Sequence, residues 1–226
     1  VKGSVELLKL DSESNEPLSG VTFEIESLDG FNAGEIITVI SDENGIAKSE
    51  YLQYGKYQIK EVQTIDGYIL NETPIPFEIT NDGDVIKLEM TNDRIVGSAE
   101  LLKVDAETNE PLANVEFELE VIKGFNKGDK ITLISDENGI VKMDSLQYGN
   151  YRLVEVKTVY GYVLDSTPIE FEIRNNGEVV KLEMANKKIK AKLEIIKVDG
   201  KSNSKLQGAK FGIYNENKEL IETIVT

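Results

Sequence analysis

Cysteine and histidine are both absent from this chain of 226 residues. The first absence excludes disulfides, thiolate metal sites and cysteine nucleophiles. The second removes Ser/His-type triads and most zinc or copper sites. No apolar run approaches the roughly 20 residues of a membrane span, so no membrane insertion is expected of this stretch. A signal peptide and a sorting tail are missing too, so an exported protein of this kind would be an excised or processed piece. Basic charge is scarce: 41 acidic residues face 25 basic ones, a formal charge of −16. Such a surface repels phosphate backbones and anionic lipid, and nucleic acid is not an expected partner. Helical periodicity is also hard to find. What is present, 40% hydrophobic and 29% charged residues, suits a globular chain long enough for two domains. Its stability must come from packing, or from a covalent link that needs no sulfur.

An internal repeat organises the chain. Residues 3 to 92 and 97 to 186 align without a gap and are identical at more than half their positions, including SDENGI, LQYG, FEI and KLEM. A third start has diverged, yet Leu193, Ile195, Lys197 and Asp199 keep the phase of the opening run, and Lys197 lies 94 residues after Lys103. The sequence thus divides into a repeat over 1–93, a second over 94–188 and a partial third over 189–226. The third ends before any counterpart of Glu61 or Asn92, so it cannot build the full core of its relatives.

Within one repeat the signals are strand and turn. Alternating runs predict strands near 4–10, 20–27, 35–41, 46–51, 56–64, 74–80 and 85–92. Turn residues separate them at Asn15 to Pro17, Asp29-Gly30, Asp42 to Gly45, Tyr54-Gly55, Asp66-Gly67 and Asp82-Gly83. About seven short strands per repeat predict an all-β fold of tandem antiparallel, Ig-like two-sheet sandwiches. The Asp93 to Gly97 linker is too short for beads on a string and favours a rod.

Strand phasing exposes an anomaly. Side chains alternate faces with period two, so Val5, Leu7 and Lys9 share a face, as do Tyr57, Ile59 and Glu61, and Ile86, Leu88, Met90 and Asn92. The second repeat has the same phasing and brings Lys103, Glu155 and Asn186 to the inward side. An amine, a carboxyl and a carboxamide in a core are each costly unless paired or neutralised. Taken singly, a snorkelling lysine, a solvated glutamate and a turn-forming asparagine are the ordinary readings. Three in phase, twice over with the same spacing, favour a common buried site.

The ordered motifs Leu8-Lys9-Leu10-Asp11, Pro17-Leu18, Val21-x-Phe23, Asp42-x-Asn44-Gly45, Leu52-x-x-Gly55-x-Tyr57-x-x-x-Glu61 and Asn92 recur as Lys103-Val104-Asp105, Pro111-Leu112, Asp136-x-Asn138-Gly139, Leu146-x-x-Gly149-x-Tyr151-x-x-x-Glu155 and Asn186. On these residues each repeat resembles a Cna B-type domain of the SpaA-like group, a prealbumin-like module of Gram-positive surface adhesins and pilins. The resemblance implies an extracellular, cell-wall-anchored protein. It also implies intramolecular isopeptide bonds from Lys9 to Asn92, assisted by Glu61, and from Lys103 to Asn186, assisted by Glu155. Lys197 would be a crosslinking lysine left without partners. A polymerising lysine motif of the Tyr-Pro-Lys type is missing, which favours a stalk over a major pilin.

The chemistry is consistent with that implication. Burial disfavours ammonium and carboxylate alike, so a proton can pass from lysine to glutamate and leave a nucleophilic amine beside a neutral acid. The acid can then polarise the amide carbonyl and relay protons to departing ammonia. This is a single-turnover self-crosslink, not an enzyme activity, and no cofactor or metal is implied. Asp42 to Gly45 and Asp136 to Gly139 read as β-turns and not calcium loops. Asp11, Asp105 and Asp199 share the lysine's face but read as turn residues. Of Tyr54, Tyr57 and Tyr68, two are expected in the core and the third over the edge of the bond site. Neighbouring repeats are the expected partners. Host protein or glycan is the alternative partner, through the loops Gly30 to Gly34 and Gly124 to Gly128, whose Phe31 and Phe125 are expected to be exposed.

Overall fold

The computed structural model describes residues 1–30 and 32–226; the expectation for Phe31 falls outside the described residues. The chain forms two compact units, Val1–Lys188 and Ile189–Thr226.

The first repeat runs β1 (Lys2–Asp11), β2 (Thr22–Ser27), β3 (Ile36–Ile40), β4 (Ile46–Lys48), β5 (Leu52–Gln53), β6 (Gly55–Gln63), β7 (Ile75–Ile79) and β8 (Val85–Asn92). One sheet has the order β3-β2-β6-β7, and the other is built around β1, flanked by β4 and β8 with β5 at its start. Alternation in the sequence becomes alternation in burial. Val5 and Leu7 point inward from β1 and meet Phe23, Ile25, Ile59 and Ile79 from the facing sheet. Pairing is antiparallel except between β1 and β8, which run parallel from Ser4 opposite Val85 to Asp11 opposite Asn92. Parallel neighbours require a long crossover, and here the crossover is most of the repeat. The first and last strands therefore lie side by side, which brings residues 9 and 92 together.

The second repeat follows the same plan with β9 (Val96–Asp105), β10 (Glu116–Gly124), β11 (Lys130–Ile134), β12 (Ile140–Gln147), β13 (Gly149–Lys157), β14 (Ile169–Ile173) and β15 (Val179–Asn186). Its sheets are β11-β10-β13-β14 and β12-β9-β15. The repeats differ in the fourth run. The single strand expected over 46–51 breaks into β4 and β5, because the buried Ser49 hydroxyl accepts the Val5 amide at 3.0 Å in place of a ladder carbonyl. Met143 stands at the equivalent position and has no such acceptor. There the strand stays continuous, with an irregularity between Met143 and Leu146 and Ser145 at φ 58°.

The linker between repeats is tied on both sides. The Ile69 amide donates to Asp93 O at 2.9 Å, Ile95 N to Gly67 O at 2.8 Å, and Tyr148 N to Ile95 O at 2.9 Å. Phe125 packs edge-on against Tyr68 with ring centroids 5.6 Å apart, and the Arg94 guanidinium lies 4.4 Å above its ring. The expectation of a freely exposed Phe125 is thus overturned: its loop reaches back to the preceding repeat, and the ring is half-buried there.

In the second unit, β16 (Lys210–Tyr214) and β17 (Leu220–Val225) form an antiparallel hairpin. The opening run with Leu193, Ile195 and Lys197 forms no strand, and Val198 makes only an isolated bridge to Lys205. In the complete repeats that run is held between two other strands, and residues 189–226 contain no equivalent of either.

Candidate functional site

Lys9, Glu61 and Asn92 meet at the centre of the first sandwich, each buried to 1% exposure or less. Lys9 Nζ donates to Asn92 Oδ1 at 2.5 Å and lies 2.8 Å from Glu61 Oε2. Asn92 Nδ2 donates to Glu61 Oε1 at 2.7 Å and to Thr64 Oγ1 at 2.8 Å. The second repeat reproduces the arrangement: Lys103 Nζ to Asn186 Oδ1 at 2.6 Å and to Glu155 Oε2 at 2.7 Å, and Asn186 Nδ2 to Glu155 Oε1 at 2.6 Å and Thr158 Oγ1 at 2.7 Å. All six residues singled out in the sequence are therefore brought together, three by three. Lys197 is exposed and has neither acid nor amide beside it among the described residues.

Local structure fixes each group. Lys9 donates its amide to Gly45 O at 2.8 Å and accepts the Leu18 amide at 2.9 Å, so its backbone is clamped between two turns. The Asp42 to Gly45 turn is closed by Asp42 Oδ1, which accepts the amides of Asn44 and Ile46. Gly45 has φ 75°, and a Cβ there would stand 2.6 Å from Lys9 O; at Gly139 it would stand 2.4 Å from Lys103 O. Only glycine permits this approach, so the repeated SDENGI segment is a seat for the lysine strand. Glu61 is paired with Phe23 while Gln63 is paired with Thr22, so Val62 is an extra residue in β6. Such bulges shift the inward phase of a strand. Gln63 turns outward and Thr64 turns toward Asn92. The same irregularity, with Val156 as the extra residue, precedes Thr158.

Burial pushes the Lys9 and Lys103 amines down from their ordinary range, against the opposing pull of Glu61 and Glu155. A neutral amine is what a nucleophile requires. Lys9 Nζ and Glu61 Oε2 form a sealed ion pair at 2.8 Å. Among the described residues, only Glu61 Oε2 and Glu155 Oε2 are buried side-chain polar atoms without a hydrogen-bond partner. Buried polar atoms are nearly always satisfied. At both sites this oxygen has the lysine amine as its ion-pair partner, at 2.8 and 2.7 Å.

The neighbouring carboxylates have another task. Asp11 Oδ1 caps the following turn by accepting the Glu13 and Ser14 amides, as expected of a turn residue. Its Oδ2 accepts the Tyr68 hydroxyl at 2.6 Å and Arg94 Nε at 2.7 Å. Burial pushes this carboxyl up, but the Tyr68 hydroxyl, the Ser14 amide and Arg94 outweigh it and hold the group well below the usual carboxylate range. Asp105 does the same with Tyr162 at 2.7 Å and with Lys188 at 3.0 Å in place of arginine. The expectation for the tyrosines is corrected accordingly. Tyr57 is in the core, stacked on Phe77; Tyr68 is half-buried, packed against the core with its hydroxyl on Asp11; Tyr54 is exposed. Thr64, Thr158 and this latch were not singled out by pattern reading. The repeated EVQT and EVKT segments carried the signal, but a bulge cannot be read from periodicity.

Two tandem β-sandwiches, each with a lysine, glutamate and asparagine sealed in its core, define a class of prealbumin-like modules. Residues 3–94 and 97–188 both match the model of the SpaA prealbumin-like fold domain, and the chain belongs to that family. It is 36% identical over 76 residues to a collagen adhesin of Staphylococcus aureus, a match covering 31% of this chain and 6% of the adhesin. The Bacillus anthracis TIE protein superposes with a TM-score of 0.84 at 33% identity, over 100% of this chain and 41% of that one. The C-terminal fragment of the pilus adhesin SpaC from Lactobacillus rhamnosus GG has a similar fold, with a TM-score of 0.57, 15% identity, and coverage of 85% of this chain and 99% of that one. The chain thus spans less than half the length of the collagen adhesin and of the TIE protein.

Proposed function

We propose that this chain is a stalk segment of a Gram-positive cell-surface adhesin, in which each complete repeat is locked by an autocatalytic isopeptide bond, Lys9 to Asn92 and Lys103 to Asn186. The observation that carries this reading is the doubly occurring buried triad, with each amine in contact with the carboxamide it would attack. In the reaction Lys9 Nζ bonds to Asn92 Cγ, the Cγ–Nδ2 bond breaks, and ammonia leaves. Glu61 takes the proton from the attacking amine and delivers one to Nδ2, whose contact with Oε1 supplies the route. Folding fixes the reactants, which can replace about 7 to 11 kcal/mol of barrier. The reaction runs once, so the protein is not an enzyme in the turnover sense.

The topology explains what such a bond would do. Lys9 and Asn92 are 83 residues apart and sit on the paired first and last strands. By analogy with disulfides, closing a loop of that length disfavours the unfolded chain by about 4 to 5 kcal/mol. Tension entering at β1 and leaving at β8 would pass through the bond and bypass the strands between. A rod of such repeats, stiffened at the joint by Phe125 and Arg94, suits a stalk that holds a binding tip away from a cell wall. Similarity to modules of a collagen adhesin and of the TIE protein supports a surface location. The reading in which the repeats themselves bind host protein or glycan loses one of its two aromatic contacts, because Phe125 is engaged between repeats.

Intact mass tests the proposal. The chain should weigh two ammonia molecules less than its sequence, and Glu61→Ala should restore one. An unchanged mass in the parent chain would sink the covalent reading for both repeats.

A further inference from the structure

We propose that Thr64 and Thr158 are positioning residues for the crosslinking step, each holding the carboxamide in the one orientation from which ammonia can leave. This inference rests on the isopeptide reading above. The Asn92 Nδ2 group has two hydrogens, and the two acceptors around it are Glu61 Oε1 at 2.7 Å and Thr64 Oγ1 at 2.8 Å. With both engaged, Oδ1 must face the Lys9 amine, as it does at 2.5 Å. If the amide turned over, its N–H groups would point at the lysine, donor against donor, and the leaving nitrogen would lose the carboxyl that must protonate it. Glu61 alone cannot prevent this, because a carboxyl can donate to a carbonyl as readily as it can accept from an amide when it carries the proton. The Lys9 amine, which donates to Oδ1, selects the orientation, and the threonine oxygen supplies the second acceptor that holds Nδ2 in it.

Its placement depends on the bulge. Strict alternation from Glu61 would turn Gln63 inward, and the extra residue Val62 hands that place to Thr64. The same irregularity delivers Thr158 to Asn186 at 2.7 Å. Both threonines are half-buried while the reacting trio is sealed, so the departing nitrogen sits on the side of the site nearest solvent. In the balanced step the Nζ–Cγ bond forms, the Cγ–Nδ2 bond breaks, one proton moves from Nζ to the carboxyl, and the carboxyl's proton moves to Nδ2. Threonine gives up nothing and takes nothing, so its effect is on rate.

The test is a time course of ammonia loss by intact mass on freshly synthesised full chain, with folding checked by circular dichroism. Thr64→Val keeps the shape and removes the acceptor; it should slow crosslinking of the first repeat about tenfold, the effect of one well-placed hydrogen bond. The second repeat in the same molecule serves as an internal control and should keep its rate. Thr64→Ser should restore the parent rate, which a purely packing role would not allow, and Thr158→Val should reverse which repeat is slow. Parent-like rates in both valine variants, or serine as slow as valine, would overturn the proposal. No ammonia loss in the parent chain would instead refute the isopeptide reading beneath it.

Discussion

The opening run of the second repeat and that of residues 189–226 share one alternation and one lysine phase in two environments. Ala99, Leu101 and Lys103 are buried between β12 and β15. Their counterparts Leu193, Ile195 and Lys197 lie outside any strand, with Leu193 64% exposed and Lys197 on the surface. Alternation of apolar residues therefore does not make a strand by itself; the ladder needs neighbours whose N–H and C=O groups it can satisfy. Neither does a lysine in the right phase make a site. Desolvation of its amine requires the second sheet, and the acid and amide that compensate come from β13 and β15.

This contrast can be sharpened or broken by experiment. The largest difference is expected in amine reactivity. Acylation of the folded protein should modify Lys197 fully and leave Lys9 and Lys103 untouched; labelling of Lys9 or Lys103 under native conditions would remove the distinction. Next in size is the bond itself. Glu61→Ala should lower the stability of the first repeat by about 4 to 5 kcal/mol, the loop-closure contribution, while calorimetry finds the second repeat unmoved. Equal melting of bonded and unbonded repeats would contradict it. A smaller loss, about 1.5 to 3 kcal/mol for hydrogen bonds to a charged group, is expected for Asp11→Ala, with the bond still forming by mass.

The latch also predicts a pH response. The folded-state pKa of Asp11 and Asp105 is depressed below the ordinary value near 3.8. Their contribution is therefore fully present above about pH 4 and is lost as pH falls from there toward the depressed values. Thermal melts should drop over that acid range, and Asp11→Asn should flatten the part owed to the first repeat. Smallest is the joint. Phe125→Ala should cost about 1 kcal/mol or less in aromatic and cation–π contact and widen the angle distribution between repeats in small-angle scattering, with crosslinking unchanged.

Much of this was legible in the chain. Period-two alternation located nearly every strand, because a half-buried sheet enforces that pattern on any sequence that builds one. The same alternation phased Lys9, Glu61 and Asn92 inward, and the repeat doubled the signal. Where pattern reading fell short, a local side-chain bond or a distant contact had intervened. Ser49 replaced a ladder carbonyl and split one strand. Tyr68 stayed at the margin of the core, where its hydroxyl reaches Asp11. Phe125 found Tyr68 of the preceding repeat and Arg94 of the linker instead of solvent.

The sequence by itself determined an all-β repeat protein with three polar residues per complete module aimed at the core, since face and spacing follow from strand geometry. Only the tertiary structure decided that β1 and β8 are parallel neighbours, that Val62 and Val156 are bulged, and that a threonine oxygen completes each site. Those features depend on which strands meet and in what register. That is settled by packing between residues far apart in the chain, which no local pattern encodes.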